Sequence, residues 1–204
     1  MEDINFLSDI DVYDCYDTKK RINLREKAKK SSKLRCNTLI CVLENPSNYQ
    51  NVGTVIRNVN TIGVSKVYII DGKQIFIDKT WKDLRSSKVL NETSATAIKW
   101  TFVKIFKTAE ECFEHLEKNN YISFGTSPHI IGKKNVCLDE GIFTQKKLAV
   151  WFGTETTGMT QYSIDRCSCL IQIPISGIIE SFNLAVSTGI IFYEICKQRR
   201  QFKK

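Results

Sequence analysis

The strongest constraint on the fold is a strand–helix–strand pattern in the N-terminal half of the chain. Residues 38–43 (TLICVL) form a short apolar run typical of a strand that is buried on both faces. Residues 52–62 then repeat apolar side chains at helical spacing and end at Gly63, where a helix commonly stops. Residues 66–70 (KVYII) are a second buried strand. Because a crossover helix joins parallel strands, the pattern predicts a parallel sheet.

The rest of the chain continues this alternation of strands and helices. Core strands are predicted at 121–124, 148–152 and 170–173, a further strand at 98–106, and helices at 81–90 and 109–118. A final helix is predicted from about residue 182 to residue 199. It is apolar on more than one side, so we expect it to be largely buried, in part by a second subunit. The chain is therefore expected to be an α/β protein with a mostly parallel sheet flanked by helices.

The charge balance favours an anionic partner. The net charge is +8 and the isoelectric point is about 9.0, which points first to nucleic acid, although a merely basic protein fits equally well. We expect an extension at 1–36, acidic and then basic, followed by a domain at 37–204. The basic part is interpreted as an RNA-contacting arm rather than a solvated helix face. Its proposed RNA-binding residues are Lys19, Lys20, Arg21, Arg25, Lys29, Lys30, Lys33 and Arg35.

Several other classes of protein are disfavoured. The eight Cys form no CxxC pair and there are only two His, so free thiols are expected rather than disulfides or a metal site. No apolar run has the length of a membrane span, and the N-terminus lacks the order of a secretory signal. A cytoplasmic location is the default expectation.

Three polar constellations interrupt the apolar pattern. The first, around Asn51, Gly53 and Arg57, opens the first helix. The second follows the strand at 148–152 and places Glu155 between two glycines, at the strand end where open α/β sheets bind ligands. Taken singly, an exposed helical arginine and an ordinary loop would explain these two patterns.

The third constellation follows Pro174 and a glycine loop. Glu180, Ser181 and Asn183 open the last helix there, where free backbone N–H groups can bind polar ligand atoms. Ser181 and Asn183 could equally be simple helix caps.

Together, N-x-G-x-x-x-R, F-G-x-E-x-x-G and I-P-x-x-x-x-x-E-S-x-N-L-A closely resemble the three motifs of the SpoU/TrmH family of RNA 2′-O-ribose methyltransferases, part of the SPOUT superfamily. The resemblance covers roughly residues 38–197. It implies a SPOUT-type domain with a deep C-terminal trefoil knot, a homodimer with a site built from both subunits, and S-adenosylmethionine as methyl donor. The residues it assigns to donor binding are Thr126, Gly153, Ile173 and Phe182.

The resemblance also assigns catalytic roles. Arg57 inherits the essential position of the first motif. Guanidinium groups stay protonated at neutral pH, so we hypothesise that Arg57 holds a substrate phosphate and the 2′-hydroxyl together and the phosphate assists proton removal. The residues expected to orient Arg57 or the ribose are Asn51, Glu155, Ser181 and Asn183. The sequence departs from the family at Thr156, where glycine is common, and a β-branched residue there is expected to alter the backbone angles of the loop.

The alternatives differ in class. A dinucleotide-binding oxidoreductase would need a Gly-x-Gly-x-x-Gly turn after the first strand, and residues 45–53 do not supply it. A non-catalytic RNA-binding module on the same fold would keep the basic surface and lose the donor pocket. Within the enzyme class, the substrate is tRNA or rRNA. The short basic termini resemble those of compact tRNA-modifying members of the family, which favours tRNA. RNA contacts are expected from the domain, the basic arm and the tail that contains Lys197, Arg199, Arg200, Lys203 and Lys204.

Overall fold

The computed structural model describes residues 26, 29–31, 34–72, 74–76, 79–129 and 135–201. Its centre is a seven-stranded sheet in which every pair of neighbouring strands is parallel. The strands are β1 (Cys36–Glu44), β2 (Val64–Ile70), β3 (Phe102–Phe106), β4 (Ile122–Thr126), β5 (Asn135–Cys137), β6 (Leu148–Phe152) and β7 (Cys169–Gln172). Their order in the sheet is β3-β2-β1-β6-β4-β7-β5.

Helices cover both faces of the sheet. They are α1 (Tyr49–Ile62), α2 (Trp81–Ser86), α3 (Lys88–Thr93), α4 (Ala109–Lys118), α5 (Gln161–Arg166) and α6 (Leu184–Gln201). Apolar side chains of α1, α3 and α6 share one buried core with alternate strand residues. Those of α4 and α5 share a second core with the intervening strand residues. Because strand side chains alternate between faces, a sheet covered on both sides needs strands that are apolar throughout.

The predicted fold class is confirmed. α1 ends where the sequence indicated, at Gly63, whose φ of 103° lies in the left-handed region that glycine tolerates. Its start is fixed by Asn48, whose side chain accepts a hydrogen bond from the backbone N–H of Asn51 at 2.8 Å. The knot stays a prediction of the family resemblance. No helix among the described residues is both long and apolar enough to cross a membrane.

Some local predictions were wrong. The predicted strand at 98–106 begins only at Phe102, because Ala97–Trp100 is a 3₁₀ turn that follows a left-handed Thr96, φ 66°. The predicted helix at 81–90 is two helices separated by Ser87. The last helix starts at Leu184 rather than at residue 182. β5 and α5 were not predicted, since each is too short for a periodic pattern.

The seven described cysteines are free, as expected. Burial raises the pKa of the Cys41 thiol well above its ordinary value and that of Cys196 to about 11. Such thiols stay protonated and pack as small apolar groups.

The strand order gathers the functional loops. β6 lies beside β1 on one side and β4 on the other, and β4 in turn pairs with β7. Since all these strands are parallel, the segments that follow them leave the sheet at the same edge. The three predicted motifs follow β1, β6 and β7, so the topology places all three at the carboxyl edge of the sheet.

Arg199 fastens the end of α6 to the sheet. Its guanidinium donates to the carbonyl oxygens of Phe143 and Gln145 and, through Nη1, to Thr38 Oγ1 at 3.2 Å. The sequence had placed Arg199 in a basic RNA-contacting tail. In the structure the guanidinium of Arg199 is instead hydrogen-bonded within the protein, whereas the neighbouring Arg200 is exposed. Lys203 and Lys204 lie outside the described residues.

We expect Arg199→Ala to lower the free energy of unfolding by about 2–3 kcal/mol, because four acceptors, the three named above and Cys36 Sγ, lose a charged donor. Arg200→Ala removes the same charge one residue later and should change it by less than about 0.5 kcal/mol. Urea denaturation of both variants measures the difference. Equal effects of the two substitutions would contradict the structural role of Arg199.

Candidate active site

A cavity of about 490 Å³ opens at the carboxyl edge of the sheet. Its walls come from the loops after β4, β6 and β7 and from the start of α6. All four residues predicted to bind the donor line it, namely Thr126, Gly153, Ile173 and Phe182. Among the residues predicted to be catalytic, Glu155 and Ser181 also line the cavity, whereas Asn51, Arg57 and Asn183 do not.

The loop after β6, residues 153–160, is tightly folded. Thr154 and Gly158 exchange backbone hydrogen bonds of 3.0 Å in both directions. The Thr154 hydroxyl also accepts from the Thr157 backbone N–H at 3.0 Å. At Gly153 a Cβ atom would lie 1.9 Å from the carbonyl carbon of Gly158 and 2.1 Å from the nitrogen of Met159. The close approach of two backbone segments therefore requires glycine at position 153.

The expected effect of Thr156 on this loop is not found. Gly158, φ 67°, is the left-handed residue of the loop, and Thr156 is not among the residues with positive φ. Thr156 is exposed and lines the cavity. A β-branched side chain therefore fits this position without backbone strain, because the left-handed turn falls two residues later.

The first and second motifs meet at Glu155. The side-chain amide of Asn51 donates to Glu155 Oε1, and the hydroxyl of Ser47 donates to Glu155 Oε2 at 3.2 Å. The carboxylate therefore bridges the start of α1 and the cavity that it lines. Ser47 was missed by the sequence analysis, because a serine in a loop of turn formers carries no distinguishing signal.

The third motif is tied to α1 as well. Asn58 Nδ2 donates to the carbonyl oxygen of Ala185 at 2.7 Å, which joins α1 to the first turn of α6. Asn183 Oδ1 accepts from the Ala185 backbone N–H at 2.8 Å. Asn183 thus has the capping contact that was the simpler of its two interpretations, while its neighbours Phe182 and Leu184 line the cavity.

Arg57 lies outside the cavity on an exposed part of α1. No described side chain pairs with its guanidinium. Helical geometry places it about 9 Å along the axis from Asn51 and directly before Asn58. Its five N–H donors therefore remain available to an anionic group that is not part of this chain's described residues.

The predicted RNA-binding arm is described only in part. Lys29 and Lys30 are exposed. Arg35 is half-buried and donates through Nη1 to the carbonyl oxygen of Trp100 at 2.6 Å, and burial lowers the pKa of its guanidinium. Arg35 thus has a structural contact besides its predicted role. Lys19, Lys20, Arg21, Arg25 and Lys33 lie outside the described residues. Within the described ranges no group of acidic, histidine and cysteine side chains could hold a metal ion.

Parallel strands, helices on both faces and a ligand-sized cavity at the carboxyl edge define an α/β protein of the kind whose ligand sites lie beside the strand ends. A family profile described as the SpoU rRNA Methylase family matches residues 38–193. The chain belongs to this family.

The named relatives include both tRNA and rRNA methyltransferases. A tRNA (guanosine(18)-2'-O)-methyltransferase of Borreliella burgdorferi is 27% identical over 169 residues, which are 82% of this chain and 70% of the relative. A 23S rRNA (guanosine-2'-O-)-methyltransferase RlmB of Xanthomonas axonopodis pv. citri is 25% identical over 161 residues, 79% of this chain and 59% of the relative.

Solved structures share the fold. The A. aeolicus TrmH/SpoU tRNA modifying enzyme superposes with a TM-score of 0.72 at 22% identity, covering 89% of this chain and 86% of that chain. The SpoU methyltransferase AviRb from Streptomyces viridochromogenes in complex with AdoMet has a TM-score of 0.67 at 18% identity and covers 82% of this chain and 62% of that one. These likenesses confirm the predicted SPOUT-type architecture.

We expect Gly153→Ala to displace the loop after β6, because its Cβ would overlap the backbone at Gly158 and Met159. The amides of residues 154–158 should lose protection in hydrogen exchange, and stability should fall by about 2 kcal/mol or more. Gly177→Ala is the matched control, since its Cβ would have no atom within 4 Å. An unchanged exchange pattern in Gly153→Ala would show that the loop is not packed as described.

Proposed function

We propose that this chain is an S-adenosylmethionine-dependent methyltransferase that acts on a ribose 2′-hydroxyl of RNA. The observation that carries the proposal is the contact of Asn51 with Glu155 at the edge of the cavity. This contact joins the motif that holds Arg57 to the cavity lined by Thr126, Gly153, Ile173 and Phe182. The named relatives are 2′-O-methyltransferases, which supports the same activity here.

The cavity fits the proposed donor. Its volume of about 490 Å³ lies within the range of pockets that hold drug-sized ligands. Apolar walls at Ile173 and Phe182 suit the adenine ring of S-adenosylmethionine, and the hydroxyl of Ser181 and the carboxylate of Glu180 suit the polar groups of the same molecule. At Gly153 the loop backbone itself packs so closely that no side chain would fit at this point of the cavity wall. When bound, S-adenosylmethionine supplies an electrophilic methyl group on its sulfonium.

The residues of the chain would position the acceptor. Arg57 offers a planar fork of donors that can bind a substrate phosphate and the 2′-hydroxyl together, and the phosphate would then take the proton. At the cavity wall, the Glu155 carboxylate can accept a hydrogen bond from a ribose hydroxyl, and the Ser181 hydroxyl can donate or accept one. Asn51 acts by holding Glu155, and Asn183 by shaping the start of α6. Alignment of the acceptor oxygen supplies the main rate enhancement.

A non-catalytic RNA-binding module remains the alternative function. It would show RNA binding without donor binding. Isothermal titration with S-adenosylmethionine separates the two functions, since absence of binding would favour the module.

Within the enzyme class we propose tRNA as substrate in preference to rRNA, in the cytoplasm. Support comes from relatives named as tRNA (guanosine(18)-2'-O)-methyltransferases. We propose the segment 1–36 as the RNA-contacting arm of the domain at 37–204. Mapping 2′-O-methyl marks in RNA from cells with and without the gene identifies the substrate. A mark lost from rRNA alone would overturn the tRNA preference.

Arg57→Ala should keep donor affinity within about twofold, because Arg57 does not line the cavity, while methyl transfer falls by about 10³-fold or more. Arg57→Lys should restore only a small part of the rate, because an ammonium lacks the planar fork. Donor titration and single-turnover methylation measure the two effects separately. Normal transfer by Arg57→Ala would reject the assigned role.

We further propose that the chain works as a homodimer. A second, open cavity of about 680 Å³ runs along α6 and is lined mainly by apolar residues, including Ile62, Ile173, Pro174, Ile190 and Tyr193. Tyr193 is 58% exposed. Because Ile173 lines both cavities, a second copy seated there would lie next to the donor cavity and could bring its own Arg57 or RNA-binding residues.

Tyr193→Glu should therefore raise the monomer fraction, because it places a charge in the apolar contact. Val89→Glu, which changes another exposed apolar residue outside that cavity, should leave the assembly unchanged. Sedimentation equilibrium of both variants measures this. A wild-type chain that is monomeric at micromolar concentration would refute the dimer.

A further inference from the structure

Glu44, the last residue of β1, carries a carboxylate that is only 2% exposed. A buried carboxylate is costly unless hydrogen bonds replace its water. Oε2 of Glu44 accepts from the backbone N–H of Thr160 at 2.9 Å. Oε1 accepts from the hydroxyls of Thr160 at 2.6 Å and Ser163 at 2.7 Å. All three bonds therefore reach the exit of the loop after β6 and the first turn of α5.

The backbone next to Thr160 forms a wall of the donor cavity. Met159 directly precedes it, is 7% exposed, and receives the backbone N–H of Thr126 on its sulfur at 3.4 Å. Gly153 packs against the Gly158–Met159 peptide so closely that no Cβ would fit. Gly153, Gly158 and Met159 all line the cavity. Any shift of Thr160 is thus passed to the cavity wall through its direct neighbours.

The segment that follows β1 holds the same loop at a second point. Ser47 and Asn51 bind Glu155 near the tip of the loop, and Glu44 binds Thr160 at its exit. One short stretch of chain, residues 44–51, thereby clamps the loop at both places.

We propose that Glu44 is a positioning residue for donor binding, which sets the loop 153–160 without touching the ligand. This inference rests on the proposed function. Glu44 does not line the cavity and belongs to none of the three motifs. Its effect passes through Thr160 to Met159 and Gly153, so its removal should weaken donor binding even where the fold survives.

A purely structural role would predict something different, and Asp71 provides the comparison. Asp71 follows β2 at the same edge of the sheet and is 7% exposed. Its carboxylate accepts from the backbone N–H groups of Ile75 and Phe76, each at 2.7 Å. Like Glu44 it is a buried loop-holding carboxylate, but its hydrogen bonds reach a different loop.

The experiment compares Glu44→Gln with Asp71→Asn in the full chain. Glutamine keeps the shape of the side chain but has only one acceptor oxygen. In the wild type, the three donors from Thr160 and Ser163 use both oxygens of the Glu44 carboxylate. S-adenosylmethionine affinity is measured by isothermal titration at a temperature where both variants are folded. Hydrogen exchange of the Thr160 amide is measured without ligand.

We expect Glu44→Gln to raise the dissociation constant of S-adenosylmethionine by about tenfold or more and to lose protection at Thr160. Asp71→Asn should destabilise the fold yet keep that constant within about twofold. Should Glu44→Gln not fold, Ser163→Ala removes one of the same bonds and is judged by the same criteria.

Wild-type affinity in Glu44→Gln, or an equal loss in Asp71→Asn, would overturn the positioning role alone. A wild-type chain that binds no S-adenosylmethionine would overturn the proposed function and this inference with it.

Discussion

The hydrogen bond between the Asn51 amide and the Glu155 carboxylate is the contact on which the site depends. It joins residues that are 104 positions apart. It forms because β1 and β6 are neighbouring parallel strands with Leu43 opposite Phe152, so that the segments after both strands leave the sheet side by side. α1 is also fastened to α6 through Asn58 and Ala185. One helix thereby sets the position of the second motif relative to the third.

This arrangement separates two tasks. The cavity between the loops after β4, β6 and β7 is shaped by backbone packing, and Gly153 shows how little space that packing leaves. The guanidinium of Arg57 stands outside the cavity and without a partner among the described residues. The proposed donor pocket, built from tightly packed loops, and the proposed acceptor-binding arginine on a helix suit a reaction whose rate depends on the alignment of two substrates.

The sequence predicted the elements whose apolar pattern is long or continuous. α1 was found because the buried stripe of a helix repeats at helical spacing, and the strand at 148–152 was found because a strand buried on both faces is apolar at every position. α5 was missed because it has only six residues, and the 3₁₀ turn was mistaken for strand because its apolar residues alternate as a strand's do.

The motif residues were found from local chemistry and a family resemblance. Their contacts could not be predicted, because the pairing of β1 with β6 leaves no trace in periodicity. Glu44 was likewise missed, because a glutamate at the end of a strand looks the same whether it is solvated or buried.

The most direct test of the account is methyl transfer by the wild-type chain from labelled S-adenosylmethionine to unmodified transcripts of tRNA and rRNA, followed by digestion to nucleosides. The account predicts label only in 2′-O-methylnucleosides, with the methyl group on the ribose. Label in a base, or no transfer from a chain that binds both the donor and RNA, would contradict it.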